Sequence, residues 1–298
     1  MPYIIYEFGI ILTMKRGEGG IGGVGPVGAD LETGPEQEPR LPNIIELTPK
    51  KHTLEVDPMG CRVKRLMLGG VEVAWSGTRP DGKQGSWHPC FPYFARYEGS
   101  YIGDEPPPFH GPARSVEWEE VGLHPSTLIY ELDMEEIPGA YPKGIHMKRV
   151  FNLSESGLVV STHVANSSDQ PVSVNPGEHV YLNYPAEKRH LVSVNGEDTV
   201  FVLENGVEID LWEGSGTLID VPRDNSAHLP GLGTLNWWQE GFDSLALWTQ
   251  TGAQEGQPSA NFVCIEPVNN PKDIFRSGKI LLPGRDQTFK FGLDLIGE

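Results

Sequence analysis

The sequence predicts an all-β protein built as a large antiparallel sandwich. Three observations carry that expectation: a dominant period of two in the apolar residues, turn signals at short spacing, and no long stretch of helical period with caps. In TLIYELDM (127–134), Leu128, Tyr130, Leu132 and Met134 share one face. In TFKFGLDLIG (288–297), Phe289, Phe291, Leu293 and Leu295 do the same against Lys290, Gly292 and Asp294. GLVVSTHVANSS (157–168) and SLALWTQT (244–251) are further strand-like runs, and SESG, NSSDQP, VNGED and LPGRD separate such runs as turns. Short strands without helical crossovers pair antiparallel and pack face to face.

The chain of 298 residues is long enough to bury a full core. Residues 15–42, rich in Gly, Pro and Glu, show no apolar period and read as a flexible lead-in, so the folded body is expected to begin at Asn43 and to run to the C-terminus as one domain. Residues 1–14 read either as an extra strand or as an extension upstream of a start at Met14. The 36 glycines and 26 prolines are spread along the chain, in keeping with many turns.

Charge and cysteine usage narrow the function. With 41 acidic against 23 basic residues the formal charge is −18, a field that repels nucleic acid and anionic membrane surfaces. No apolar window reaches membrane-spanning length. Three isolated cysteines, Cys61, Cys90 and Cys264, form no CxxC pair, which argues against a disulfide framework and a thiolate zinc site and points to a reducing, cytoplasmic compartment. The N-terminal apolar run has neither a preceding basic residue nor a small-residue cleavage site. No HxH, HxxxH or HExxH pair occurs, so a cupin or zinc-hydrolase site is not supported, and neither a GK[ST] phosphate loop nor a GxSxG elbow is present.

Three distant stretches each set one titratable residue in a tight frame: PPPFHGPAR (106–114), NPGEHVYLNY (175–184) and NFVCIEP (261–267). In the second, alternation puts His179, Tyr181 and Asn183 on one face and Val180, Leu182 and Tyr184 on the other. A face of imidazole, phenol and amide suits the hydroxyls of a sugar; its ordinary alternative is a surface histidine with polar neighbours. In the third, Phe262, Cys264 and Glu266 share a face, so a carboxylate continues an apolar row, where burial would raise its pKa and improve it as a base. Pro267 is expected to end that strand at the rim of a cleft, and an edge glutamate is the commoner fate of such a residue. In the first, three prolines stiffen the approach to His110 and Gly111 permits an unusual backbone; a loop histidine packed by Trp118 is the plain alternative. Two imidazoles and a carboxylate are the minimum for placing one proton on a substrate and taking another off.

These segments, HGPAR (110–114), PGEHVY (176–181) and CIEP (264–267), resemble in order and flanks the aldose-1-epimerase (galactose mutarotase-like) family. HPCFPYF (88–94) and the closing LLPGRDQTFKFGL (281–293) are similar to it as well, so the likeness spans roughly residues 45–295. The resemblance implies a large antiparallel β-supersandwich and a cofactor-free isomerase, a mutarotase that opens and recloses a sugar ring. Carried over by position, Glu266 is the base, His179 the acid, and His110 holds the substrate near its ring oxygen, with Tyr181 on the same face. The family's hexose-6-phosphate subgroup resembles this chain around FPYF and HGPAR. Where that subgroup has an arginine, DGKQGSW offers Lys83 or Gln84; Arg114 matches its second basic position and Arg96 is near. Lysine meets phosphate as a point charge rather than a fork. Asp220, with Asp224, is the nearest counterpart of the family's substrate-binding aspartate. The implied partner is a small sugar or sugar phosphate, bound by a monomer or homodimer. The competing reading is a non-catalytic carbohydrate-binding sandwich.

Overall fold

A computed structural model describes residues 42–48, 50–94, 108–134, 144–203, 206–212, 216–219, 221–250, 260–269 and 279–297, with the side chains of 216–219 left aside. All of them belong to one unit, 40–298. The lead-in expected before Asn43 lies outside the described residues apart from Pro42.

The fold is all-β, and among the described residues the strands pair antiparallel, with one isolated parallel bridge between Tyr93 and Asn175. A nine-stranded sheet runs in the order Glu197–Asp198, Ser193–Val194, Asp224–Leu229, Gly233–Glu240, Arg285–Ile296, Gly157–Asn166, Ile145–Ser154, Thr127–Asp133, Glu119–His124. A six-stranded sheet runs Gly216–Ile219, Ser244–Trp248, Val263–Val268, Gly177–His179, His88–Cys90, with Tyr181–Leu182 also on Val263–Val268. A four-stranded sheet covers Asn43–Glu72. Among the described residues no helix is long and apolar enough to cross a membrane.

Period two decides the layers. Leu128, Tyr130 and Leu132 bury one face of their strand, and Phe289, Phe291 and Leu293 bury one face of theirs. Val180, Leu182, Val263, Ile265, Leu245 and Leu247 from the six-stranded sheet join them in a single core. Burying side chains of this kind stabilises the sandwich by roughly 1.5–3 kcal/mol each. The opposite face of the six-stranded sheet carries a separate cluster of Tyr181, Phe262 and Cys264 with Trp75 and Trp248 packed on it.

One charged pair bridges the layers inside this core. Arg149, fully buried on the nine-stranded sheet, sends Nη1 and Nη2 to the two carboxylate oxygens of Glu178 on the six-stranded sheet, at 2.6 and 2.7 Å. Trp87 Nε1 donates to the same carboxylate at 2.8 Å, and Arg149 Nη1 also donates to Thr162 Oγ1. A buried carboxylate with two guanidinium bonds and an indole bond is paired and solvated by protein, the condition under which a buried charge is tolerated.

The strand expected to stop at Glu266 continues through Pro267 to Val268. Ile265 N–H donates to the Val180 carbonyl, so the nitrogen two residues on, in Pro267, faces the same neighbour. Pairing on that side is reduced to the single Gly177–Val268 bridge next to the proline, a break in the ladder of the kind that accommodates a residue without an N–H.

Candidate active site

The site forms on the face of the six-stranded sheet turned away from the core. Register brings its residues together: His179 pairs across from His88, Tyr181 from Cys264, and Cys264 in turn from Trp248. Glu266 sits two residues beyond Cys264 on the same face, opposite the small Ala246. His179 and Tyr181 share this face as expected, their rings stacked at 4.6 Å, while Val180 and Leu182 enter the core. Asn183 departs from the pattern; the strand has ended and its side chain is exposed, donating to the Glu72 carbonyl.

His110 reaches the cluster from a loop. Its φ is +63° and that of Gly111 is +73°, two left-handed residues in succession. A Cβ on Gly111 would lie 1.9 Å from the Phe91 carbonyl oxygen, so only glycine permits the turn that aims the preceding imidazole inward. The His110 ring lies 5.1 Å from His179 and 6.3 Å from His88, and His88 lies 4.9 Å from His179.

Three of the anticipated residues, His110, His179 and Glu266, thus converge, with Tyr181 against them. Glu266 and His179 are 1% and 4% exposed, and Glu266 Oε1 stands 3.6 Å from His179 Nδ1. His179 Nδ1, Glu266 Oε2 and His88 Nε2 are buried without a hydrogen-bond partner. His88 Nδ1 lies 2.6 Å from the Ser86 carbonyl, which can only accept, so Nδ1 carries the proton and Nε2 presents a bare lone pair.

Cations surround this cluster. Arg79 Nη1 donates to the Tyr181 hydroxyl at 3.3 Å and its guanidinium lies 5.0 Å above the Trp248 ring, while Nε holds Asp81. Arg62 Nη2 donates to the Arg114 carbonyl at 2.7 Å, tying a second guanidinium to the segment that carries the third. Lys83 does not occupy the place foreseen for it: its side chain is 76% exposed and only approaches Asp81, at 4.0 Å. Arg79, four residues earlier, is the cation beside Tyr181. Arg96 and Asp220 lie outside the described residues. Asp224 is on the nine-stranded sheet, lining an outer groove of about 430 Å³ apart from the histidines.

The electrostatics follow from burial beside these guanidiniums. Desolvation, aided by Arg114 and Arg79, holds His110 down to about 3. Desolvation is also the main cause for His88 and His179, both held well below the ordinary imidazole value; Arg114 and Arg62 add to it at His88, and His88 and His110 at His179. Glu266 is pushed well above the usual carboxylate range by burial alone. The 3.6 Å approach of His179 to Glu266 would suit an ion pair, but desolvation disfavours charge on both. Burial therefore favours a carboxylic acid beside a neutral imidazole over the charged pair.

Sequence reasoning missed His88, Arg79 and Cys264 as parts of this site. Alternation within HPCFPYF sets His88 and Cys90 on one face, but only strand pairing shows which histidine that face meets.

Comparison with known proteins fits this geometry. Residues 88–227 match the family model of aldose 1-epimerase. The resemblance to that family holds. The match covers a little under half of the chain, and with the shared fold it supports reading the chain as an isomerase. A galactose mutarotase related enzyme from Lactobacillus acidophilus superposes with a TM-score of 0.69 at 18% identity, covering 86% of this chain and 98% of that one. A galactose mutarotase-like protein from Lactobacillus casei gives 0.65 at 16%, covering 86% and 100%. A provisionally assigned aldose 1-epimerase from Escherichia coli K12 gives 0.67 at 16%, with the same coverage. At such identities the structures share the fold. No curated protein sequence matches the chain significantly.

Proposed function

We propose that the protein is a sugar mutarotase that interconverts the α and β anomers of an aldose, with a hexose 6-phosphate the form best suited to its cations. The observation that carries the reading is the approach of His179 Nδ1 and Glu266 Oε1 to 3.6 Å, both buried and both with unpartnered polar atoms. The anomeric hydroxyl and the ring oxygen of a pyranose are bonded to the same carbon, so two groups this close engage both. Trp75 and Trp248, partly exposed and packed on Tyr181 and Phe262, offer apolar surface to the sugar's C–H faces.

Glu266 acts as base on the anomeric hydroxyl and His179 as acid on the ring oxygen. The pair needs no outside proton for this: passing the Glu266 proton to His179 gives carboxylate and imidazolium, with the same total charge. Glu266 then takes the hydroxyl proton as His179 protonates the ring oxygen, the C1–O5 bond breaks, and an open-chain aldehyde forms. Rotation about C1–C2 and closure on the other carbonyl face invert the anomeric centre, and the protons return. The bare Nε2 of His88 accepts from a sugar hydroxyl, and His110 orients the ring. Arg79 and Arg114 suit an anionic substituent, and guanidinium forks match phosphate oxygens.

Polarimetry of freshly dissolved α-glucose, α-galactose and their 6-phosphates tests this, with Glu266→Gln beside wild type. Loss of one acid–base group should slow catalysis about 10²–10⁴-fold. If wild type fails to exceed buffer on any of these sugars, the chain is a carbohydrate-binding sandwich and the enzymatic reading falls.

A further inference from the structure

The same face that gathers the proton-transfer pair also gathers a set of metal donors that sequence spacing did not reveal. His179, Cys264 and Glu266 are buried, and each offers a ligand atom within 4.8 Å of the others. Cys264 and Glu266 project from alternate positions of one strand, and His179 arrives from the strand beside it. The absence of HxH or CxxC patterns is uninformative about such a site, because its donors meet through strand pairing. We propose that this triad is an inhibitory site for a thiophilic divalent cation, Zn²⁺ in the first instance, which competes with the sugar. The inhibitory part rests on the mutarotase reading; the binding part does not.

The donor set selects the ion. One thiolate, one imidazole and one carboxylate are the mixed S/N/O donors taken by zinc, while magnesium and calcium prefer oxygen alone. Three protein ligands leave the fourth tetrahedral position to water. The geometry is close to what coordination needs. Adjacent ligands on a tetrahedral zinc stand about 3.3 Å apart, against 3.6 Å for His179 Nδ1 to Glu266 Oε1. The Cys264 thiol lies within 4.8 Å of both other donors, so side-chain adjustment would close the site. His179 Nδ1 and Glu266 Oε2 have no other hydrogen-bond partner to give up. Binding forms bonds from the metal to nitrogen, sulfur and oxygen and releases the thiol and carboxyl protons to solvent, with no change of oxidation state. Once Nδ1 and the carboxylate are both on the metal, neither can exchange a proton with a sugar.

Titration of the reduced full-length chain with Co²⁺ reads the site directly, since tetrahedral cobalt bound to a thiolate gives a charge-transfer band in the near ultraviolet. One Co²⁺ per chain with that band is expected, displaced by Zn²⁺, lost in Cys264→Ser and kept in Cys61→Ser. Disturbing even an outer partner of a metal ligand costs about 10–100-fold in affinity, so Cys264→Ser should need at least tenfold more zinc for the same inhibition of mutarotation. If thermal melting shows that Cys264→Ser does not fold, Glu266→Gln supplies the missing-ligand variant for the cobalt titration. A wild-type spectrum of hydrated cobalt only, or a band that survives Cys264→Ser, overturns the site. Zinc bound at the site with mutarotation unslowed overturns the inhibition. A band in a chain with no mutarotase activity would uphold the metal site while the functional reading failed.

Discussion

Replacing Arg149 by methionine would leave the Glu178 carboxylate between the two sheets with only the Trp87 indole as donor. In the folded chain that carboxylate receives guanidinium bonds of 2.6 and 2.7 Å and the indole bond of 2.8 Å, with Arg149 wholly excluded from solvent. Removing one partner of a buried ion pair costs about 3–5 kcal/mol, because the other charge stays buried without compensation. At about 2–4 °C per kcal/mol for a domain of this size, Arg149→Met should melt roughly 6–20 °C below wild type. The double variant Arg149→Met/Glu178→Gln removes the charge and keeps a carbonyl for Trp87, and should recover more than half of that loss. Glu178 immediately precedes His179, so the single variant should also slow catalysis at temperatures where it remains folded. Thermal unfolding by circular dichroism, with polarimetry on the folded fraction, reads both effects. A single variant melting within about 2 °C of wild type would refute the reasoning, as would a double variant no more stable than the single.

The remaining predictions concern protons, phosphate and one turn. Because His179 is held low and Glu266 high, the pair keeps its single proton over a wide interval, so the rate should form a plateau across neutral pH, falling only in strong acid as the imidazole charges and in alkali as the carboxyl ionises; a narrow bell between the ordinary values of about 4.3 and 6.5 would count against it. Glu266 ionises in the unfolded chain above the ordinary carboxylate value while the folded chain keeps its proton, so stability falls as pH rises through that interval. Glu266→Gln should therefore gain in melting temperature over wild type from pH 5 to pH 8, and a difference independent of pH would contradict the burial argument. Arg79→Ala should raise KM for a hexose 6-phosphate roughly 10–100-fold, the value of one charge-assisted bond, and change KM for the free sugar far less; equal effects on both would remove Arg79 from phosphate binding. Gly111→Ala should lower mutarotase activity by displacing His110, since its Cβ would overlap the Phe91 carbonyl; wild-type rates in that variant would show that His110 does not need its left-handed seat.

Much of this architecture could be read from alternation. Leu128, Tyr130, Leu132 and Met134 announce a half-buried strand because four apolar side chains at period two have one face to hide, and that is where the fold puts them. His179 and Glu266 were legible for the complementary reason: each interrupts such a pattern with a titratable group. Arg149 and Glu178 were not legible, since a charged residue on a strand ordinarily faces water and nothing local says that two of them, far apart in sequence, will meet in the core. Arg79 was missed because a flexible side chain in a turn-rich stretch has no period to betray its direction, and Lys83 was the nearer match by position. His88 needed the knowledge that its strand lies beside that of His179, a long-range pairing that local spacing does not encode.

The strand around His179 carries two unrelated jobs on its two sides. Glu178, Val180 and Leu182 lock the sandwich shut, and His179 and Tyr181 stack in the cluster around Glu266. Inserting or deleting one residue between Gly177 and Leu182 would exchange these roles, turning the imidazole into the apolar interior and the valine toward Glu266. Length there is thus constrained more tightly than residue identity: conservative replacements on either side are separable, whereas a single-codon indel removes activity and stability together.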